Sequence, residues 1–228
     1  MNLPDVLYHG TAARFLPAIL QDGIKPRGRF NKGNWQHTVT SNAKAVYLTD
    51  AYGLHFASCA AGEDDKAVIL EIDTRALRGD CLIADEDTLE QANRGRDNLP
   101  EDWNLKRRTL YYRARAHNHS GLLTLKYMGT CCYKGTIIPE AIKRAVILDA
   151  EVEARLVVCG FDPQISIIHY SMLGERYREG MRWMFGDAGE TFKLIPVSPE
   201  FLKASGIEEH PLIREGIEVI TYQKGETK

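Results

Sequence analysis

The stretch AVYLTDAYGLHFA at residues 45–57 decides the fold. Its first five residues, rich in aliphatic and aromatic side chains, have the composition of a half-buried strand. Asp50 then stands where a helix cap belongs, ahead of residues 51–61. A strand bearing Tyr47 and a helix bearing Phe56 are expected in succession. Upstream, residues 6–8 are a short apolar stretch ending at His9-Gly10-Thr11. Phe15, Leu16, Ile19 and Leu20 follow at helical spacing, with Gly23 as a stop. Pro17 fits only a first turn, so that helix is expected to begin near it. Residues 25–43 hold Gly28, Gly33, Asn31, Asn34 and Asn42 and read as a long loop.

Downstream, KAVILEID at 66–73 is a second strand, Asp85 caps a short helix, and 105–115 reads as a helix. Residues 122–134 are β-prone, Gly135 and Pro139 turn the chain, and 145–149 is another short strand. Strands outnumber long helices over residues 1–150, which gives an α+β domain. Beyond it, 165–168 reads as a strand, 170–185 as a helix, and IEVITY as a final strand. Residues 151–228 are therefore expected to form a C-terminal α/β extension packed on the same domain.

The 228 residues suit one large domain, or a domain with an appendage. With 44% hydrophobic and 26% charged residues, the chain is neither disordered, nor collagenous, nor a disulfide scaffold. No apolar run approaches the ~20 residues of a membrane span. The start MNLPDVLYHG has no basic segment before an apolar core, so no secretory signal is expected and the cytoplasm is the expected location. Cys59, Cys81, Cys131, Cys132 and Cys159 are odd in number and show no CxxC spacing, so reduced, mostly buried thiols are expected. The cysteines and histidines never form paired ligand spacings, and no metal is expected. A net charge of −2 excludes nucleic-acid binding by the whole surface and leaves room for a local patch.

Three motifs occur in order: LYHGT at 7–11 followed by a helix and glycine, AVYLTDAYGLHFA at 45–57, and a strand leading into GTIIPEAI at 135–142 and then RAVIL. Alone, each has an ordinary structural explanation. Together they resemble the ADP-ribosyltransferase superfamily over about residues 5–150. The likeness is to the His–Tyr branch of poly-ADP-ribose polymerases and DarT-type toxins, and to the NAD-dependent RNA 2′-phosphotransferases. The resemblance implies split antiparallel β-sheets with flanking helices over residues 1–150, and NAD bound as co-substrate in the cleft between them. It implies that His9 holds the ribose next to the adenine, with Thr11 beside it, and that the Gly10 backbone holds the nicotinamide amide. It also implies that Tyr47 and Phe56 sandwich the nicotinamide ring, with His9 and Tyr47 as the catalytic pair.

At the third motif, the position that holds glutamate in the transferases falls on Thr130 or Cys131. Asp85, Glu86 and Asp87 read as a capped helix start rather than a catalytic acid. Glu71 shares a strand face with Ile69 and Asp73, and that mixed face is expected in solvent. The run NLKRRTLYYRARAHNH at 104–119 has five Lys or Arg residues, no acid and two tyrosines. Arg107, Arg108, Arg113 and Arg115 are candidate acceptor-binding residues, unless they pair with the acids of 85–102. The expected function is a toxin-like mono-ADP-ribosyltransferase that releases nicotinamide and modifies a nucleic acid or a protein, nucleic acid first. The alternatives are a non-catalytic NAD or ADP-ribose-binding module, and an RNA 2′-phosphotransferase, against which Tyr47 stands where that family has a second histidine.

Overall fold

Strand β1 (Val6–Ala12) alternates Leu7, His9 and Thr11 on one face with Tyr8, Gly10 and Ala12 on the other. This is a computed structural model, and it describes residues 2–28, 39–63, 65–93 and 96–148, Arg178, Met181, and the strands at 192–196 and 218–224. A 3₁₀ turn at Ala13–Phe15 follows β1, and then α1 (Leu16–Asp22) begins with Pro17 in its first turn, where a missing N–H costs nothing. Gly23 ends α1 at φ 83°, with its N–H donating to the Ile19 carbonyl.

The chain then gives β2 (Ala45–Thr49), α2 (Gly53–Ala61), β3 (Ala67–Asp73), the short β4 (Leu82–Ile83), α3 (Glu86–Asn93) and α4 (Leu105–His117). After these come α5 (Gly121–Met128), β5 (Thr130–Lys134), β6 (Ile142–Leu148), β7 (Phe192–Pro196) and β8 (Glu218–Lys224). The strand order is β4-β5-β2-β1-β3-β6-β8-β7. β1 pairs with β3 along its whole length, from Val6 opposite Asp73 to Ala12 opposite Ala67. With β2 it shares one register pair, Tyr8 opposite Thr49. Two antiparallel ribbons therefore meet at a single point, which is the split arrangement expected from the sequence.

The pairing of β6 with β8 is parallel, a departure from an all-antiparallel sheet. Parallel neighbours need a long crossover, and the chain between Leu148 and Glu218 supplies it. The final strand expected at IEVITY is β8. Arg178 and Met181, the described residues of the helix expected at 170–185, are both helical, whereas 165–168 lies outside the described residues.

One face of the sheet packs Leu7, Val46, Leu48, Val68 and Leu70 against Leu16 and Leu20 of α1. The other packs Tyr8, Ala12 and Ile69 against Leu54 and Ala57 of α2 and against Met181. Covered on both faces and flanked by β1 and β6, β3 has no solvent side, which corrects the expectation for Glu71. Its carboxylate is buried and accepts from Arg144 Nε at 2.6 Å and from a second guanidinium nitrogen at 3.1 Å. Arg144 is the residue opposite it on β6.

Two further expectations change. Residues 121–128 are helical rather than β, because Ser120 Oγ caps the Leu122 N–H and Gly129, at φ +68°, ends the helix. Asp50 does not cap α2: Thr49 Oγ1 accepts from the N–H groups of Ala51 and Tyr52, while Asp50 Oδ2 accepts from Arg178 Nε at 2.9 Å. A second nitrogen of Arg178 donates to the Leu125 carbonyl at 2.8 Å.

Gly10 is fixed by packing. A Cβ there would lie 2.2 Å from Ala57 N and 2.6 Å from the Phe56 carbonyl carbon, both backbone atoms of α2. Gly10→Ala is expected to destabilise the protein by about 2 kcal/mol or more, by forcing α2 off β1. An unchanged urea midpoint would contradict this packing.

Candidate functional site

Beyond the Tyr8–Thr49 pair the two ribbons diverge, and the His9 ring bridges them, its Nδ1 lying 2.9 Å from the Tyr47 carbonyl. A carbonyl can only accept, so Nδ1 carries the proton and Nε2 the lone pair. Burial lowers the His9 pKa, and the bond to Tyr47 opposes this only in part, so the ring is neutral at pH 7. Thr11, two residues on and on the same face, is buried opposite Val68.

Pairing of Tyr8 with Thr49 puts Gly10 and Tyr47, each two residues further along, on the other face of the split. Phe56 is carried on the first turns of α2, whose backbone at Phe56 and Ala57 lies against Gly10. Phe56 is half-buried and meets His55 edge to face at 5.4 Å. The structure thus brings together His9 with Tyr47, and Gly10 with the segment bearing Phe56. The space that a glycine leaves at position 10 is filled by α2.

The Tyr47 hydroxyl donates to Glu86 Oε1, which also accepts from the Asn42 N–H at 2.5 Å. Glu86 Oε2 accepts from Cys132 Sγ at 3.7 Å, and Cys132 is the residue opposite Tyr47 on β5. Glu86 is fully buried. Capping alone therefore does not describe this segment, since Asp85 is the capping residue and Glu86 turns inward to Tyr47. Asp85 Oδ1 accepts from the Asp87 N–H at 2.9 Å and its Oδ2 from Thr88 Oγ1 at 3.3 Å. The inward turn escaped sequence reasoning because it depends on contact between β4 and β5. The run of three acids was the available signal.

The electrostatics follow from burial. Asp85 is pushed up to about 6, first by loss of water and then by the charge of Glu86. Burial, then Asp85 and Glu86, raise Asp87, and burial followed by the surrounding thiol and carboxylates raises the Tyr47 phenol. Asp85, Glu86 and Cys132 hold their ligand atoms within 4.8 Å of one another, close enough to share one cation.

Residues 39–42 lie along this group as a strap. The Val39 N–H donates to Glu90 at 3.1 Å, the Thr40 N–H to Thr109 Oγ1 at 3.2 Å, and the Asn42 N–H to Glu86. Arg113 donates to the Thr40 carbonyl at 2.8 Å and Arg27 to that of Ser41 at 2.7 Å.

At the third motif, Thr130 lies on the Tyr47 face, its hydroxyl 2.7 Å from that of Thr88, while Cys131 faces the core on the other side. Burial raises the thiols of both Cys131 and Cys132 far above the ordinary range. On α4, Arg107 pairs with Asp102 at 3.7 Å, Arg108 with Glu90, and Arg115 with Asp97 at 3.1 Å. Three of the four candidate acceptor residues thus meet acids of the 85–102 stretch, and Arg113 meets the strap.

No protein-family model matches the chain. An 80-residue stretch is 36% identical to a probable RNA 2′-phosphotransferase of Acaryochloris marina (strain MBIC 11017), and it covers 35% of this chain and 35% of that relative. The match thus spans about a third of the curated relative's length. Among solved structures, Thermosipho africanus DarTG in complex with ADP-ribose aligns over 68% of this chain and 47% of its own, at 17% identity and a TM-score of 0.34. Thermus sp. 2.9 DarT in complex with carba-NAD+ aligns over 71% of this chain and 92% of its own, at 9% identity and a TM-score of 0.34. The same protein with NAD+ gives 72%, 93%, 11% and 0.33 in that order.

The raised Asp85 carboxyl has a consequence for stability. Unfolded, it ionises near 3.8 and folded near 6, so the unfolded state releases its proton first and stability falls as pH rises through that window. Asp85→Asn keeps a capping oxygen without the charge. Between pH 4 and pH 7 it is expected to gain on the order of 1–3 kcal/mol over the parent protein. Parallel pH–stability curves in urea would show that Asp85 is not held this way.

Proposed function

We propose that the split between β1 and β2 binds NAD and that the protein is a mono-ADP-ribosyltransferase. The observation that carries this is the shared face of Gly10 and Tyr47, with the α2 segment that bears Phe56 against Gly10, beside a neutral His9 that ties the two ribbons together. The His9 Nε2 lone pair suits a ribose hydroxyl, the Gly10 peptide a carboxamide, and Tyr47 and Phe56 a flat ring. Thr11 lies next along β1 on the His9 side. His9 and Tyr47 are the residues on which turnover rests. In the reaction the bond from ribose C1′ to the nicotinamide nitrogen breaks, and nicotinamide leaves with the electron pair. An acceptor oxygen or nitrogen then bonds to C1′ and gives up its proton.

The acceptor in this reading is a nucleic acid, met along α4. Arg113 joins α4 to the strap over Tyr47, and Arg107 is largely exposed despite its long contact with Asp102. Arg108 and Arg115 pair with acids yet keep about a third of their side-chain surface open, at 32% and 34%. A second reading, RNA 2′-phosphotransferase, is favoured by the relative of that name. It is separated by loss of the 2′-phosphate from a 2′-phosphorylated RNA in the presence of NAD.

Incubation with NAD is expected to release nicotinamide, and His9→Ala and Tyr47→Ala each to weaken NAD binding by on the order of 1 kcal/mol or more. Unchanged affinity in both folded variants would sink the site assignment. When labelled NAD is offered to protein, DNA and RNA pools, label is expected on a nucleic acid, in a reaction that weakens with added salt. Lys106→Gln with Arg107→Gln, both at exposed positions, should lower that labelling and leave nicotinamide release intact. Label on protein alone would assign the acceptor otherwise.

A further inference from the structure

If NAD occupies the split, the ring it places against Tyr47 is a cation in NAD+ and neutral in NADH. Tyr47 is not an isolated aromatic. Its hydroxyl donates to Glu86, whose carboxylate is fully buried and whose other bonds come from the Asn42 N–H and the Cys132 thiol. Among these bonds no cation pairs with Glu86. A phenol donating to a carboxylate gains electron density in its ring, and a ring richer in electrons attracts a stacked cation more strongly. This effect depends on the charge of the bound ring and acts little on a neutral one.

We infer that Glu86, acting through the Tyr47 hydroxyl, is a specificity-determining residue that makes the site select the cationic nicotinamide of NAD+ over the neutral ring of NADH. The inference rests on the NAD-binding reading above and goes beyond it, because shape and hydrogen bonding to the carboxamide, the riboses and the phosphates do not separate the two forms. Selection of this kind has a chemical use. Only the cationic ring departs readily from C1′, so a site that held NADH equally well would be occupied by a form that cannot react.

Neighbouring groups make Glu86 the carrier of this effect. Asp85 spends its carboxylate on the start of α3, bonding the Asp87 N–H and the Thr88 hydroxyl. Arg113, whose charge bears on Asp87, is bonded to the Thr40 carbonyl. Glu86 is the acid in direct contact with the ring-bearing residue.

The test measures the affinities of a non-cleavable carbocyclic NAD+ analogue and of NADH for the full chain, for Glu86→Gln, for Tyr47→Phe and for the double variant. Glu86→Gln keeps an oxygen to accept from the Tyr47 hydroxyl and loses the charge. It is expected to reduce the preference for the cationic form about tenfold, with NADH affinity changed less than threefold. Tyr47→Phe cuts the link while leaving the Asn42–Glu86 bond, so it should reduce the preference likewise, and the double variant should add little to either. Should Glu86→Gln fail to fold, Tyr47→Phe reads the same ratio. Equal losses for both dinucleotides, an unchanged ratio, or additive effects in the double variant would overturn the inference. Binding of neither dinucleotide to the unsubstituted protein would instead overturn the NAD-binding reading, and this inference with it.

Discussion

The separation of β1 from β2 is the constraint around which the rest of the structure is arranged. Two strands that stayed paired would satisfy their backbone groups in a ladder and leave no opening. Here the ladder is reduced to the pair Tyr8–Thr49, and the His9 imidazole takes over the Tyr47 carbonyl. A side chain thereby does the work of a backbone partner, which fixes its tautomer and ties a potential ligand-binding nitrogen to the geometry of the opening. The pairing of β1 with β3 along seven residues, and of β2 with β5 along five, makes each lip of the opening rigid.

What surrounds the opening is drawn from distant parts of the chain. Helix α2 reaches β1 because position 10 has no side chain, and the start of α3 reaches β2 because Glu86 accepts from Tyr47. The strap at 39–42 closes over Glu86 with its own N–H and is held from behind by Thr109 and Arg113 of α4. A buried carboxylate with several donors is tolerable where an isolated one is not. Burial beside Glu86 raises the carboxyls of Asp85 and Asp87 above their ordinary range.

Much of the fold was legible because its signals are local. AVYLT coincides with β2, KAVILEID contains β3, and Pro17 and Gly23 bound α1 as their stereochemistry requires. Failures occurred where a distant residue decided the outcome. Glu71 looked exposed from its own strand, but its partner Arg144 lies on β6, and no pattern within β3 reports that. Asp50 looked like a cap, and Arg178 claims it from far along the chain. At Gly121–Met128 the deciding signals are local, the caps Ser120 and Gly129, while the leucines between them fit either period. For the site, His9, Gly10, Tyr47 and Phe56 could be singled out by motif order. The inward turn of Glu86 could not, because the pairing of β4 with β5 that carries it past Tyr47 is a product of the folded sheet.

The outer edge of β6 has a bearing on how the chain can be divided. Ala145, Val146, Ile147 and Leu148 are all buried, and the backbone of that stretch is laddered to β8. A fragment ending near residue 150 would present this apolar strand with its N–H and C=O groups unclaimed, the kind of border along which separate molecules join into aggregates. It would also vacate the place beside Gly53 that Met181 fills, and free Asp50 from Arg178. The later part of the chain thus serves the earlier part as a protective margin.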